Sequence, residues 1–190
     1  MPPRIKVTRE AIVAAGLDIV RQQGAHALNA RALAARLGVS TQPIFSRYST
    51  MDALRQDVIT QAYQLYQDFL RREMERGELP PYKSSGMGYI RFAREERELF
   101  KLLFMRDRSQ EAIRENDEEI APLLALIQER TGMSRDMAYR FHLEMWVYVH
   151  GLAAMIATEY LDWDWEMVSE MLTDAFLGLR LRYQEKEGSR

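Results

Sequence analysis

The chain of 190 residues predicts an all-α protein, and three observations predict it. Apolar residues recur at three- and four-residue spacing in almost every segment, while the alternation of a half-buried strand occurs nowhere. Gly24, Gly38, Gly77 and Gly132 each follow such a run, where a helix ends. Between Asn29 and Tyr48, NARALAARLGVSTQPIFSRY holds two short helical patterns on either side of a glycine. The composition, 47% hydrophobic and 28% charged, is that of a folded globular chain rather than a disordered one. The length suffices for one or two compact domains.

Taken in order, residues 1–7 read as a basic arm. Thr8 caps a first helix to about Gln23, with Ile12, Ala15, Leu17, Ile19 and Val20 on its apolar side and Gly24 at its end. Asn29 caps the second helix, in which Leu33, Ala34 and Leu37 share a face. Gly38 supplies the positive φ of a sharp turn and Val39 fills the corner. Ser40 is the candidate cap of the third helix, with Thr41, Gln42 and Pro43 in its first turn. Proline is tolerated there because first-turn amides have no partner inside the helix. Ile44 and Tyr48, one turn apart, face inward with Leu33 and Leu37. Thr41, Gln42, Phe45, Ser46 and Arg47 then face outward. This is a helix-turn-helix, the geometry by which a helix enters the DNA major groove.

Ser49 to Asp52 reads as a capping box opening a long fourth helix, with Leu54, Val58, Ala62, Leu65 and Phe69 at helical spacing. It gives out near Gly77, and Gly77 to Pro81 is the strongest break in the chain. The expected division is a head of residues 1–50 and a body of residues 51–190, joined by a linking helix over 51–77. The body reads as helix from Tyr82 to about Arg94, interrupted by the charged cluster to Arg97. The apolar block Leu99 to Met105 follows, then a segment that Ser109 can cap. The acidic run Glu115 to Glu119 suits a helix N-terminus. Pro122 is placed to kink its helix, which Gly132 ends. Ser134 caps a helix to about residue 161, and Asp162 or Asp164 begins the last one, to about residue 182. These last two helices carry more apolar surface than one chain can bury, which predicts a dimer.

The net charge of −2 conceals a polarity. Residues 1–50 hold seven basic side chains (Arg4, Lys6, Arg9, Arg21, Arg31, Arg36, Arg47) against two acidic ones, a net +5, leaving −7 for the rest. A basic end that coincides with a helix-turn-helix points to phosphate, and double-stranded DNA is the expected partner. No Gly-rich phosphate loop, nucleophile elbow or His-Glu zinc motif occurs, so no enzyme, cofactor or metal is expected. His142, Trp146 and His150 lie one turn apart on one helix face. Metal ligation needs more ligands at closer spacing, so these read as packing residues or polar handles. No apolar run is long enough for a bilayer, and no h-region follows MPPRIK. The absence of cysteine excludes disulfides and fits a reducing cytoplasm.

TREAIVAAGLDIVRQQG, LNARALAARLGVS and IFSRYSTMDAL, in that order over residues 8–58, resemble the tetracycline-repressor-like (TetR) family of transcriptional regulators. YIRFAREERELFKLLFM and WVYVHGLAAMI are similar to its ligand-binding domains. The resemblance implies about nine helices, a DNA-binding head and a homodimer through the last two helices as a four-helix bundle. It also implies a small-molecule effector that shifts the fourth helix, most often to release a repressor from a palindromic operator. On that basis the DNA-binding residues are Arg31, Ser40, Thr41, Gln42, Phe45, Ser46 and Arg47, with Arg31 at a position that often reaches a base. Phe45 either meets a thymine methyl or completes the core of the head. The body is rich in methionine and aromatics, including Met105, Tyr148 and Met155; most such residues are core, but they also line adaptable apolar pockets. The expected pocket residues are Phe92, Phe100, Phe104, Phe141, Met145, Trp146, Val149 and His150, suited to an apolar or aromatic effector. Two positions depart from the family pattern. Phe45 stands where tyrosine is usual and Met51 where lysine is usual, which removes two phosphate contacts, with Arg36, Arg47 and the basic arm left to compensate. The alternative reading is therefore a family-fold ligand-binding or interaction protein with weakened or lost operator binding.

Overall fold

The computed structural model describes residues 7–107, 109 and 117–188. Among them there is no strand, and nine α-helices follow one another. They are α1 (Arg9–Gln23), α2 (Ala30–Leu37), α3 (Gln42–Phe45), α4 (Met51–Glu75), α5 (Pro81–Glu95), α6 (Arg97–Phe104), α7 (Asp117–Thr131), α8 (Arg135–Ala157) and α9 (Trp165–Gly188). The basic arm through Lys6 lies outside the described residues, as do 110–116 of the segment predicted after Ser109.

The chain forms two compact units, one of residues up to Asp68 with Glu96–Arg106, the other of Phe69–Glu95 with the chain from Asp107 onward. In the first unit, α1 starts at Thr8, whose hydroxyl accepts from the Ala11 amide at 3.1 Å. It stops at Gly24, at φ 87°. Ile12, Val13, Ala15, Leu17, Ile19 and Val20 are buried, as are Leu54, Val58 and Ala62 of α4. The two helices approach closely at Gly16, where a Cβ would lie 2.9 Å from Val58 Cγ2 and 3.3 Å from Leu28 Cδ1. α6 belongs to the same unit. Arg21 meets Glu96 at 2.7 Å, and the Phe104 ring stands edge-on to Tyr66 at 5.2 Å.

The second unit begins with the last turns of α4. They cross α5 at Gly88, where a Cβ would lie 3.1 Å from both Glu73 Cβ and Leu70 Cδ2. Beside this crossing the buried Glu73 carboxylate takes Arg91 at 2.7 Å and Arg76 at 3.0 Å. Leu124 and Ile127 of α7, Met133 of the turn after it, Ala138, Phe141 and Met145 of α8, and Tyr183 of α9 form a core cluster. Tyr183 also donates its hydroxyl to Glu144 at 2.7 Å; burial, then that carboxylate, pushes the phenol up to about 12.

Several boundaries differ from the sequence reading. α4 is capped by Thr50, whose hydroxyl accepts from Ala53 at 3.2 Å, one residue later than a box opened by Ser49. α8 ends at Ala157 rather than near 161, because Glu159 turns to φ 57°. Asp164, not Asp162, caps α9, accepting from the Met167 amide at 2.7 Å. Asp162 is instead held by Arg94 at 2.7 Å. α9 runs on to Gly188.

Candidate functional site

The helix-turn-helix is built from local caps and one long-range clamp. Asn29 Oδ1 accepts from the Arg31 and Ala32 amides at 3.1 and 3.0 Å, which starts α2. Gly38 ends it in the left-handed region (φ 67°, ψ 33°). The Val39 amide reaches back to the Ala34 carbonyl at 3.0 Å and the Gly38 amide to Ala35 at 3.3 Å, a Schellman closure. Ser40 does not cap α3. Thr41 occupies the cap with helical backbone angles and no side-chain hydrogen bond, so the helix starts one residue later. Its turn is continued past Phe45 by amide bonds from Ser46 to Gln42 (2.9 Å) and from Tyr48 to Ile44 (3.0 Å).

Leu33, Ile44 and Tyr48 are buried, and Leu37 is half-buried. On the other side, Ser40, Gln42, Ser46 and Arg47 are exposed, Thr41 is half-buried, and Phe45 keeps 51% of its surface open. Phe45 is therefore not part of the head's core. The Ser46 hydroxyl donates to the Pro43 carbonyl at 2.7 Å.

The clamp joins α1, the end of the α3 turn and α4. Asp57 Oδ2 accepts from Tyr48 Oη and from Arg9 Nε, both at 2.7 Å; Arg9 Nε also lies 3.1 Å from the phenol oxygen, and its guanidinium covers the Tyr48 ring at 4.7 Å. The hydrogen bonds from Arg9, then from Tyr48, hold the Asp57 carboxyl below the usual range. Burial, then the Asp57 contact, pushes the Tyr48 phenol up to about 12. Sequence inspection placed Tyr48 inward but missed this clamp, because its members lie 9 to 48 residues apart.

The basic residues of the head divide sharply. Arg9 and Arg21 are tied to Asp57 and Glu96, and Arg36 is tied to Asp18 at 2.9 Å and Gln22 at 3.1 Å. Arg36 is thus engaged within the head, in an ion pair whose two side chains are both exposed. Arg31 and Arg47 have no hydrogen-bond or ion-pair partner among the described residues.

Residues 83–176 match the family described as tetracyclin repressor-like, C-terminal domain. The chain belongs to the tetracycline-repressor-like family. No curated protein matches it closely enough to be called a relative.

In this tetracycline-repressor-like protein the residues expected to line an effector pocket are divided between the two units. Phe100 and Phe104 belong to the first unit, their rings 5.1 Å apart. Phe92, Phe141, Met145, Trp146, Val149 and His150 belong to the second. There Phe92, Phe141, Met145 and Val149 are buried, whereas Trp146 is 44% exposed. Two polar rungs join α5 to α8. Tyr82 Oη lies 3.1 Å from His142 Nδ1, and Tyr89 Oη lies 2.9 Å from His150 Nδ1. Trp146 stacks on His150 at 5.4 Å. Burial lowers both histidine pKa values. A neutral ring with its proton on Nε2 accepts at Nδ1 from the phenol. The sequence reading found the histidine face but missed its partners, although Tyr82 and Tyr89, seven apart, match the repeat.

Proposed function

We propose that the protein is a DNA-binding transcriptional regulator, a cytoplasmic homodimer that represses at a palindromic operator and is released by a small, largely apolar effector. The observation that carries this reading is the outer face of the α3 turn. Gln42, Ser46 and Arg47 project into solvent beside a half-buried Thr41, while Ile44 and Tyr48 anchor the opposite side. A short rigid turn that exposes amide, hydroxyl, guanidinium and aromatic groups together is suited to base edges and phosphates. Gln42 can donate to and accept from adenine at once, and among the described residues of the head Arg31 and Arg47 are the arginines left unpaired to meet phosphate or guanine.

The dimer reading rests on α8 and α9. Leu143, Val147 and Met155 on α8, and Met167, Leu177 and Leu181 on α9, are exposed. Within these helices, a Cβ added at Gly151 or at Gly178 would meet nothing within 4 Å. Glycine inside a helix costs about 1 kcal/mol relative to alanine. Among the described residues, no neighbour requires glycine at either position. Close approach of a second copy gives both a purpose.

The paired state of Arg9, Arg21 and Arg36 favours one competing reading, a family-fold protein whose operator binding is weak or lost. Selection of bound duplexes from random DNA separates the two. A regulator enriches one inverted repeat and binds it at least about a thousandfold above random duplex at fixed salt. A ligand-binding or interaction protein enriches none.

A further inference from the structure

We propose that Phe45 determines specificity by reading the 5-methyl group of a pyrimidine, thymine or 5-methylcytosine, in the major groove. This rests on the DNA-binding reading and assigns it a base. Phe45 is the one large apolar side chain that the α3 turn leaves open, at 51% exposure; its neighbour Ile44 is fully buried. The ring carries no hydrogen-bonding atom, so it can be neither a phosphate ligand nor a partner for a base amide or carbonyl. Its backbone is anchored on both sides. Three residues on, Tyr48 is buried and pinned by Asp57 and Arg9, and the Phe45 amide itself donates to the Thr41 carbonyl at 3.2 Å. The exposed side chains flanking it in sequence are polar, with Gln42 and Ser46 exposed and the unpaired Arg47 two residues away. An apolar ring held among hydrogen-bonding and cationic groups offers one non-polar contact within a polar, positively charged surface. It matches the edge of a base pair, where a methyl group lies beside donors and acceptors above a phosphate backbone. Among the major-groove edges of the four DNA bases only thymine carries a methyl group, and aromatic or aliphatic side chains meet it by simple contact.

The test uses the full-length protein and the duplex it selects from random DNA. Each thymine in a half-site is replaced in turn by deoxyuridine, which removes only the methyl group. At one position per half-site the wild type loses about fourfold in affinity per methyl removed, or roughly fifteenfold when both half-sites are altered. Cytosine placed there binds more tightly once methylated at C5. Phe45→Ala binds the thymine and uracil duplexes alike, and Phe45→Leu, still apolar, keeps part of the preference. Circular dichroism and the thermal midpoint of both variants match those of the wild type, because the side chain is outside the core. Uracil tolerated at every position, or a thymine preference that survives in Phe45→Ala, overturns the assignment while leaving the regulator reading intact. Failure to select any duplex overturns both.

Discussion

Because the Asp57 carboxylate accepts from Arg9 and Tyr48 together, its charged form is favoured in the folded head over the unfolded chain. Its folded pKa is depressed. The stability it contributes is therefore present above the unfolded value near 4 and is lost as pH falls through the folded value. Asp57→Asn should lower the thermal midpoint at pH 7, and the gap from wild type should close in strong acid. A gap that stays constant down to pH 2 would show that the carboxylate's charge is not what matters. The two histidines follow the same sign over a higher range. Their folded pKa values are lowered by burial, so the unfolded chain takes up protons first, below about pH 6.5, and stability declines as pH falls from there. Replacing His142 and His150 with asparagine, which retains an acceptor near Nδ1, should flatten that limb. The measurement is the thermal midpoint between pH 7.5 and 5, and an unchanged slope in the double variant would contradict it.

At the scale of the element, much of the fold was legible in the sequence because helix ends are local. Thr8, Asn29 and Ser134 cap the helices they precede, and Gly24, Gly38, Gly77 and Gly132 all adopt positive φ where their helices end. What escaped inspection was non-local. Nothing in the apolar block at 99–105 says that α6 packs within the same unit as α1, and nothing near Arg36 says that it is spent on Asp18. The outward set on α3 was readable because Ile44 and Tyr48 define the inward side. The start of α3 was not, since Thr41 enters with helical angles and no side-chain cap. Glycines inside helices give a further test. At Gly16 a Cβ would press on Val58, whose branched side chain has little freedom to yield. Gly16→Ala should therefore destabilise the head by about 1–3 kcal/mol despite its better helix propensity. A stabilised variant in urea unfolding would show that the α1–α4 contact is looser than described.

For the whole molecule, the same reasoning changes sign at Gly151 and Gly178. An uncovered helix should gain about 1 kcal/mol from alanine at either position. A helix covered by a second copy should instead lose association as the substituent grows. Gly178→Leu, or Leu181→Glu on the same helix, should convert a micromolar dimer into monomers by sedimentation while helicity persists. A wild-type monomer at that concentration would remove the dimer from the account. No helix among the described residues is long and apolar enough to cross a membrane.

The family assignment and the exposed face of the α3 turn meet in one claim, sequence-selective binding of duplex DNA, and one titration tests it most directly. The affinity of the full-length protein for the inverted repeat it selects is measured across salt concentrations, beside a shuffled duplex of equal length. The account predicts selectivity of at least about a thousandfold. It also predicts a logarithmic salt slope of about −4 if Arg31 and Arg47 of two copies neutralise phosphate, steeper if Arg4 and Lys6 join them. Equal affinity for the two duplexes at every salt concentration would contradict it.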